Sequence, residues 1–289
     1  MAMSPSNQTK KMCIPLTVER LERPNGEFLA YRRHDPCTDK SRTNVEIVFL
    51  GGFQSNMMTG KKAQFLLQWS MEEGTFAVTT FDYYGHGSSS GSFEKGGTIS
   101  QFLDDTLAIL DNVIPPHKSI ILVGSSMGGW IMTLATQKRP TRIKGMIGLA
   151  PAPDFTDLIW KKLSGKFKHQ LENEGRIMLP SQYANGGGYP ISYSFIQDAK
   201  QHLLLQNHVM MSENLPIHLI HGTNDKVVPC KVSYDYLQAV SSKHVTVTLI
   251  KGGDHRLSSP RDLHRLQQAI IELQNDIFKL IPFSPKQRS

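Results

Sequence analysis

Two periods of apolar spacing alternate along this chain. Residues 45–50, 76–81, 119–123 and 146–150 are short, nearly continuous apolar runs, which read as strands buried on both faces. Between them, residues 62–71, 98–113 and 127–138 carry helical spacing. In the second of these, Ile99, Phe102, Leu103, Leu107 and Leu110 share one face, Thr98 and Gln101 have the spacing of a capping box, and Pro115-Pro116 ends the run. Ahead of them, residues 16–21 and 27–32 flank Asn25-Gly26, a two-residue hairpin signal. The strand–helix alternation predicts an α/β fold with a mostly parallel sheet covered on both faces and opened by an antiparallel hairpin.

The alternation stops at residue 154. Residues 154–215 hold helical pieces, a Gly186-Gly187-Gly188 break and many aromatics, among them Phe155, Trp160, Tyr183, Tyr189, Tyr193 and Phe195. This stretch reads as an insertion over the carboxyl edge of the sheet, a lid. Alternation resumes with a strand over 217–221, a helix over 231–240, a strand over 245–250 and a long helix from 261 to about 280. The expected division is therefore a disordered start (1–14), a core in two parts (15–153 and 216–282), the lid between them (154–215), and a tail (283–289).

At 289 residues, 39% hydrophobic and 20% charged, the composition is that of one large globular domain. No apolar run reaches the ~18 residues a membrane span requires. Cys13, Cys37 and Cys230 are odd in number and widely spaced, which suits a reducing compartment and argues against a disulfide framework or a metal site. The formal charge of +7 reads as a solvated surface, since no nucleic-acid-binding module accompanies it. The start of the chain lacks the long apolar region of a secretory signal and the Arg-rich character of a transit peptide. A cytoplasmic location is expected, with a mitochondrial one as the alternative.

The candidate chemistry sits at Gly124-Ser125-Ser126-Met127-Gly128. A serine between a buried strand and a helix occupies a strained turn that needs glycine two residues before and after it. The turn exposes the Ser126 hydroxyl and aims the Met127 amide at whatever it attacks. Gly87-Ser88-Ser89-Ser90-Gly91 has the same spacing, but residues 92–97 after it read as loop. Serine needs a base and an orienting acid, and in open α/β sheets the loops after the strands' carboxyl ends meet in one crevice. Those loops offer Asp225 as acid and His255 as base, in the chain order Ser, Asp, His. Asp254 is a rival acid badly placed as His255's neighbour, and His86 and His221 are rival bases that read as structural. Gly51-Gly52-Phe53 after the third strand would supply a second oxyanion donor, the Phe53 amide, beside that of Met127.

On these residues the chain resembles the α/β-hydrolase superfamily. Within it, the chain is similar to the small branch of mitochondrial acyl-protein thioesterases, also known as mycophenolic acid acyl-glucuronide esterases, and their bacterial relatives. The resemblance runs from about residue 45 to residue 273. It rests on the segment from Gly124 to Trp130, the segment from Phe81 to Gly87, His221-Gly222 with Val228-Pro229, Asp254-His255-Arg256 and, specific to the branch, the lid segment from Tyr193 to Lys200. It implies an α/β-hydrolase fold and ester or thioester hydrolysis of a small-molecule or acylated-protein substrate, with no cofactor. A serine peptidase or C–C hydrolase on the same fold is the alternative, and a catalytically silent binding protein a third reading. Phe155, Trp160 and Tyr193 are candidate walls of an acyl pocket. Lys161, Lys162, Lys166 and Lys168 are candidates to attract an anionic leaving group. The sequence carries no sign of oligomeric state.

Overall fold

A computed structural model describes residues 17–24, 26–36, 44–180 and 187–280, with side chains up to residue 277. Strands β1 (Glu19–Glu22) and β2 (Phe28–His34) form the expected antiparallel hairpin. Gly26 takes a left-handed φ of 79° in the turn, while Asn25 lies outside the described residues. Then follow β3 (Val45–Leu50), helix α1 (Lys61–Glu73), β4 (Ala77–Phe81), α2 (Phe93–Gly96), α3 (Ile99–Asn112), β5 (Ser119–Ser125), α4 (Met127–Lys138) and β6 (Ile143–Leu149). After the insertion come β9 (Ile217–Gly222), α8 (Lys231–Ala239), β10 (Val245–Ile250) and α9 (Pro260–Leu280).

The eight strands of the main sheet run in the order β1-β2-β4-β3-β5-β6-β9-β10. From β4 to β10 every neighbour is parallel, and β2 pairs antiparallel with both β1 and β4. The pleat divides the apolar side chains between two cores. In β3 and β5, Val48, Leu50, Ile120 and Leu122 join the cluster that takes in α3 and α4. Ile47, Phe49, Ile121 and Val123 join the cluster with α1 and α9 on the opposite face. α9 meets that second core through Leu266, Ala269, Ile270, Leu273 and Ile277, the three-and-four spacing of an amphipathic helix. Glu46 is fully buried within the otherwise apolar β3, held by Arg33 Nε at 2.9 Å and the Thr79 hydroxyl at 2.6 Å.

Two expectations change. Residues 93–96 form one helical turn rather than loop, closed by Lys95 N and Gly96 N donating to Ser92 O. The capping box at α3 is half made. Gln101 N donates to Thr98 Oγ1 at 3.1 Å, but the Gln101 amide turns to Asp105 Oδ1 instead of returning to Thr98.

The insertion holds α5 (Phe155–Lys162), α6 (Gly165–Glu174), an antiparallel ribbon of β7 (Arg176–Pro180) and β8 (Gly188–Ser192), and α7 (Tyr193–Ala199), which runs into a 3₁₀ turn over Lys200–His202. The ribbon is absent from the sequence expectation, and Tyr183 and Gly186 lie outside the described residues. Asp154 fastens both ends of this segment. At the mouth of α5 its carboxylate accepts Leu204 N and Leu205 N, each at 2.8 Å. The far end is docked on the core by Trp130 Nε1 donating to His202 O at 2.9 Å and Ser100 N donating to Asp198 Oδ2 at 2.9 Å.

Candidate active site

β5 ends at Ser125 and α4 begins at Met127, so Ser126 alone makes the turn between them. Its backbone stands at φ 54°, ψ −119°, a conformation L-residues rarely adopt. Hydrogen bonds on both sides hold it there: Ser126 N donates to Leu149 O at 3.0 Å, and Ser126 O accepts Gly129 N at 2.9 Å and Ala152 N at 3.0 Å. A Cβ on Gly124 would overlap the Gly128 backbone, and one on Gly128 would overlap Leu50 O. Gly128→Ala is expected to cost about 3 kcal/mol of stability in urea unfolding, since backbone on both sides must shift. Gly165→Ala, with nothing near the added carbon, is the control and should be neutral or slightly stabilising. Equal midpoints for the two variants would mean the turn has room to spare.

The topology brings Asp225 and His255 to this serine from the adjacent loops after β9 and β10. His255 Nε2 lies 3.0 Å from Ser126 Oγ, and His255 Nδ1 lies 2.7 Å from Asp225 Oδ2. The Asp225 side chain is fully buried and that of His255 nearly so. Asp225 Oδ1 accepts Val227 N and Val228 N at 2.8 Å each, and a second imidazole, His221, places Nε2 3.2 Å from Oδ2. Burial pushes the Asp225 carboxyl up, but the hydrogen bonds from His221 and His255 outweigh it and hold the group well below the usual carboxylate range. The His255 loop is pinned from α1, where Lys62 Nζ donates to Arg256 O and Ser258 Oγ. Desolvation brings the Lys62 ammonium down to about 8.

The rivals have other partners. Asp254 Oδ1 accepts Leu257 N at 3.0 Å within its own loop. His86 sits in its turn with Nδ1 2.9 Å from Tyr84 O and its ring edge-on to Phe93 and Phe102. Ser89 Oγ accepts Ala30 N at 2.9 Å and donates to Asp82 O, and Ser90 Oγ bonds both Phe28 N and Phe28 O, so the second glycine-flanked serine segment anchors β2. His221, read as structural, bonds Ser233 Oγ, Val228 O and Asp225 Oδ2 and makes no bond to Ser126.

The loop after β3 lies against Ser126. A Cβ on Gly52 would come within 3.3 Å of Ser126 Cβ and 3.9 Å of Ser126 Oγ. Phe53 follows directly, and Met127 opens α4, where the first amides of a helix have no partner inside it. The Phe53 ring inserts into an aromatic cluster contributed largely by the insertion. Phe93 lies 4.9 Å from it, Tyr189 5.5 Å, Phe195 5.6 Å and Phe155 5.8 Å, centroid to centroid. Of the three candidate pocket residues, Phe155 is thus at this cluster. Trp160 and Tyr193 pair separately at 6.3 Å. Of the four lysines, Lys161 and Lys168 have different partners. Lys161 pairs with Asp157 at 2.7 Å, whereas Lys168 Nζ stands 5.4 Å over the Trp160 ring, joined by Lys200 Nζ at 5.2 Å.

Among the described residues no cluster of His, Cys, Asp or Glu has the makings of a metal site, and no helix is long and apolar enough to cross a membrane. Cys230 is a free thiol, and Cys13 and Cys37 lie outside the described residues.

Comparison with known proteins agrees with this architecture. Residues 47–185 match the Hydrolase_4 family, described as serine aminopeptidase, S33. The rat protein named palmitoyl-protein thioesterase ABHD10, mitochondrial, is 36% identical over 257 residues, which are 89% of this chain and 82% of that protein. The solved structure of the mouse α/β-hydrolase domain-containing protein 10 superimposes with a TM-score of 0.80 at 34% identity, covering 90% of this chain and 99% of that one. A hydrolase from Agrobacterium vitis superimposes with a TM-score of 0.80 at 31% identity and the same coverage. On that identity and coverage, the chain belongs to the α/β-hydrolase family of which ABHD10 is a member.

Proposed function

We propose that this hydrolase cleaves acyl thioesters and esters with Ser126 as nucleophile, His255 as general base and acid, and Asp225 as the group that orients the imidazole and stabilises its positive charge. The single observation that carries the reading is the unbroken chain from Ser126 Oγ to His255 at 3.0 Å and from His255 to Asp225 at 2.7 Å, with the serine on a strained strand-to-helix turn. Ser126 Oγ forms a bond to the acyl carbon while its proton passes to His255 Nε2. The negative charge that develops on the acyl oxygen is stabilised by the Phe53 and Met127 amides. His255 then protonates the departing sulfur or oxygen. Water, activated by the same imidazole, releases the acid and restores the serine. None of these steps calls for a metal or cofactor.

The named activity of the ABHD10 relatives favours a long-chain acyl thioester of a protein as the substrate class, and their named compartment favours the mitochondrial location over the cytoplasmic one. We read the segment from Asp154 to Leu215 as a lid, because the Asp154 carboxylate ties its start to Leu204 and Leu205 and its aromatics surround Phe53. Phe155 would wall the acyl site at the oxyanion loop, with Trp160 and Tyr193 further out. A serine peptidase is the second reading, on the strength of the family description that residues 47–185 match.

The test is a fluorophosphonate probe followed by a matched panel of acyl thioesters, esters and aminoacyl amides. Labelling at Ser126 with turnover of thioesters and esters is expected. Turnover confined to the amides would favour the peptidase, and no labelling would leave a silent binding protein. On the same panel, Trp160→Ala is expected to change the ratio of kcat/KM between long and short acyl chains several-fold, since a buried methylene is worth about 0.8 kcal/mol. An unchanged chain-length profile would remove Trp160 from the acyl site.

A further inference from the structure

Asp225 accepts more hydrogen bonds than a triad requires. Its two oxygens offer about four lone-pair sites, and four N–H groups converge on them: Val227 and Val228 on Oδ1, His255 and His221 on Oδ2. With the side chain fully buried, no solvent replaces a donor that is lost.

His221 is the last side chain of β9 before Gly222 and is itself fully buried. Its Nε2 faces two acceptors, Asp225 Oδ2 at 3.2 Å and Val228 O at 3.1 Å. A nitrogen between two acceptors must carry the proton, so Nε2 is the donor. Nδ1 lies 2.7 Å from Ser233 Oγ, on the first turns of α8, and Ser233 is also fully buried. A hydroxyl donating to Nδ1 completes this tautomer. The side chain is therefore fixed at both nitrogens, one end on α8 and the other on the acid. Val228 O receives the same proton, so His221 also clamps the loop whose Val227 and Val228 amides hold Oδ1.

We propose that His221 is a positioning residue for the acid of this site, and that the working unit is Ser126, His255, Asp225 and His221 with Ser233 behind it. The proposal rests on the reading of Ser126 as nucleophile. A carboxylate held at Oδ1 by the two valine amides alone can still rotate about that anchor. The Nε2–H of His221 fixes the direction from which Oδ2 meets His255 Nδ1. Aiming His255 Nε2 at Ser126 depends on that direction, so the effect appears in turnover and not in substrate binding.

The experiment compares kcat and KM for His221→Leu, His221→Gln and Ser233→Ala on one thioester, with Ser126→Ala alongside and unfolding midpoints for all. His221→Leu is expected to lower kcat about 10- to 100-fold with KM within about two-fold, as loss of one hydrogen bond to a charged group implies. His221→Gln, whose amide nitrogen reaches the place of Nε2, should recover at least about ten-fold of that loss. Ser233→Ala, which leaves Nε2 as donor, should cost less than about ten-fold. A His221→Leu protein that does not fold still leaves the other two variants informative: Gln at wild-type kcat and Ser233→Ala folded and active support the idea, and a Gln variant as slow as Ser126→Ala overturns it. A folded His221→Leu with unchanged kcat, beside an inactive Ser126→Ala, overturns the positioning role alone. An active Ser126→Ala overturns the function on which it rests.

Discussion

Ser126→Ala is expected to lower kcat by about 10⁴- to 10⁶-fold while leaving the unfolding midpoint unchanged or higher. The size follows from what is removed. Without Oγ there is no atom 3.0 Å from His255 Nε2 to form the acyl bond, and only the oxyanion amides and substrate binding remain. The stability expectation follows from the backbone. Ser126 holds φ 54° through bonds that its peptide groups make with Leu149, Gly129 and Ala152, and its side chain supports none of them. Alanine carries the same Cβ and therefore the same strain. The measurement is turnover of a thioester together with fluorophosphonate labelling, which the variant should lose completely. Ser89→Ala is the internal control. Its hydroxyl bridges Ala30 N and Asp82 O, so its loss should weaken the anchoring of β2 and leave kcat in place. If Ser126→Ala turns over normally while Ser89→Ala is inactive, the nucleophile is the other serine.

The elbow was legible in the sequence because its constraint is local. A serine forced to positive φ between strand and helix needs glycine at 124 and 128, and both glycines are written in the chain. Asp225 and His255 were legible for a different reason: in a parallel sheet the loops after β9 and β10 must open on the same edge, so residues far apart in sequence share one crevice. His221 was not. A histidine on a strand end looks the same whether it faces solvent, core or an acid, and its bond to Asp225 arises only when the loop of Val227 and Val228 folds back over it. The aromatic surround of Phe53 was hidden likewise, because it draws one ring each from α2, α5, β8 and α7. The β7–β8 ribbon escaped notice because Pro180 and Pro190 interrupt the alternation. Proline is tolerated there because each strand of a two-stranded ribbon is an edge.

Asp225→Asn is the second large expected effect, a loss of about 10⁴-fold in kcat, comparable to the same change in serine proteases. The argument is one of donors. Asn Oδ1 takes over the Val227 and Val228 amides, and its NH₂ then occupies the place of Oδ2. That NH₂ would face two N–H groups, His255 Nδ1 and His221 Nε2, where the carboxylate accepted both. His255 relieves the conflict by moving its proton from Nδ1 to Nε2. Nε2 then points a hydrogen at Ser126 Oγ and has no lone pair to receive the serine proton, so the base is lost although the ring stays in place. Asp254→Asn should leave turnover near wild type, because its carboxylate serves Leu257 N instead. An inactive Asp254→Asn beside an active Asp225→Asn would reverse the assignment of the acid. The same substitution has a signature in stability. The folded-state carboxyl of Asp225 lies below its unfolded value of about 3.9, so its stabilising contribution is present above that pH and is lost as pH falls through the lower, folded value. The gap in unfolding free energy between wild type and Asp225→Asn should therefore narrow as pH falls below about 4. A gap that does not change between about pH 5 and about pH 3 would mean that the Asp225 carboxyl is not held below its unfolded value.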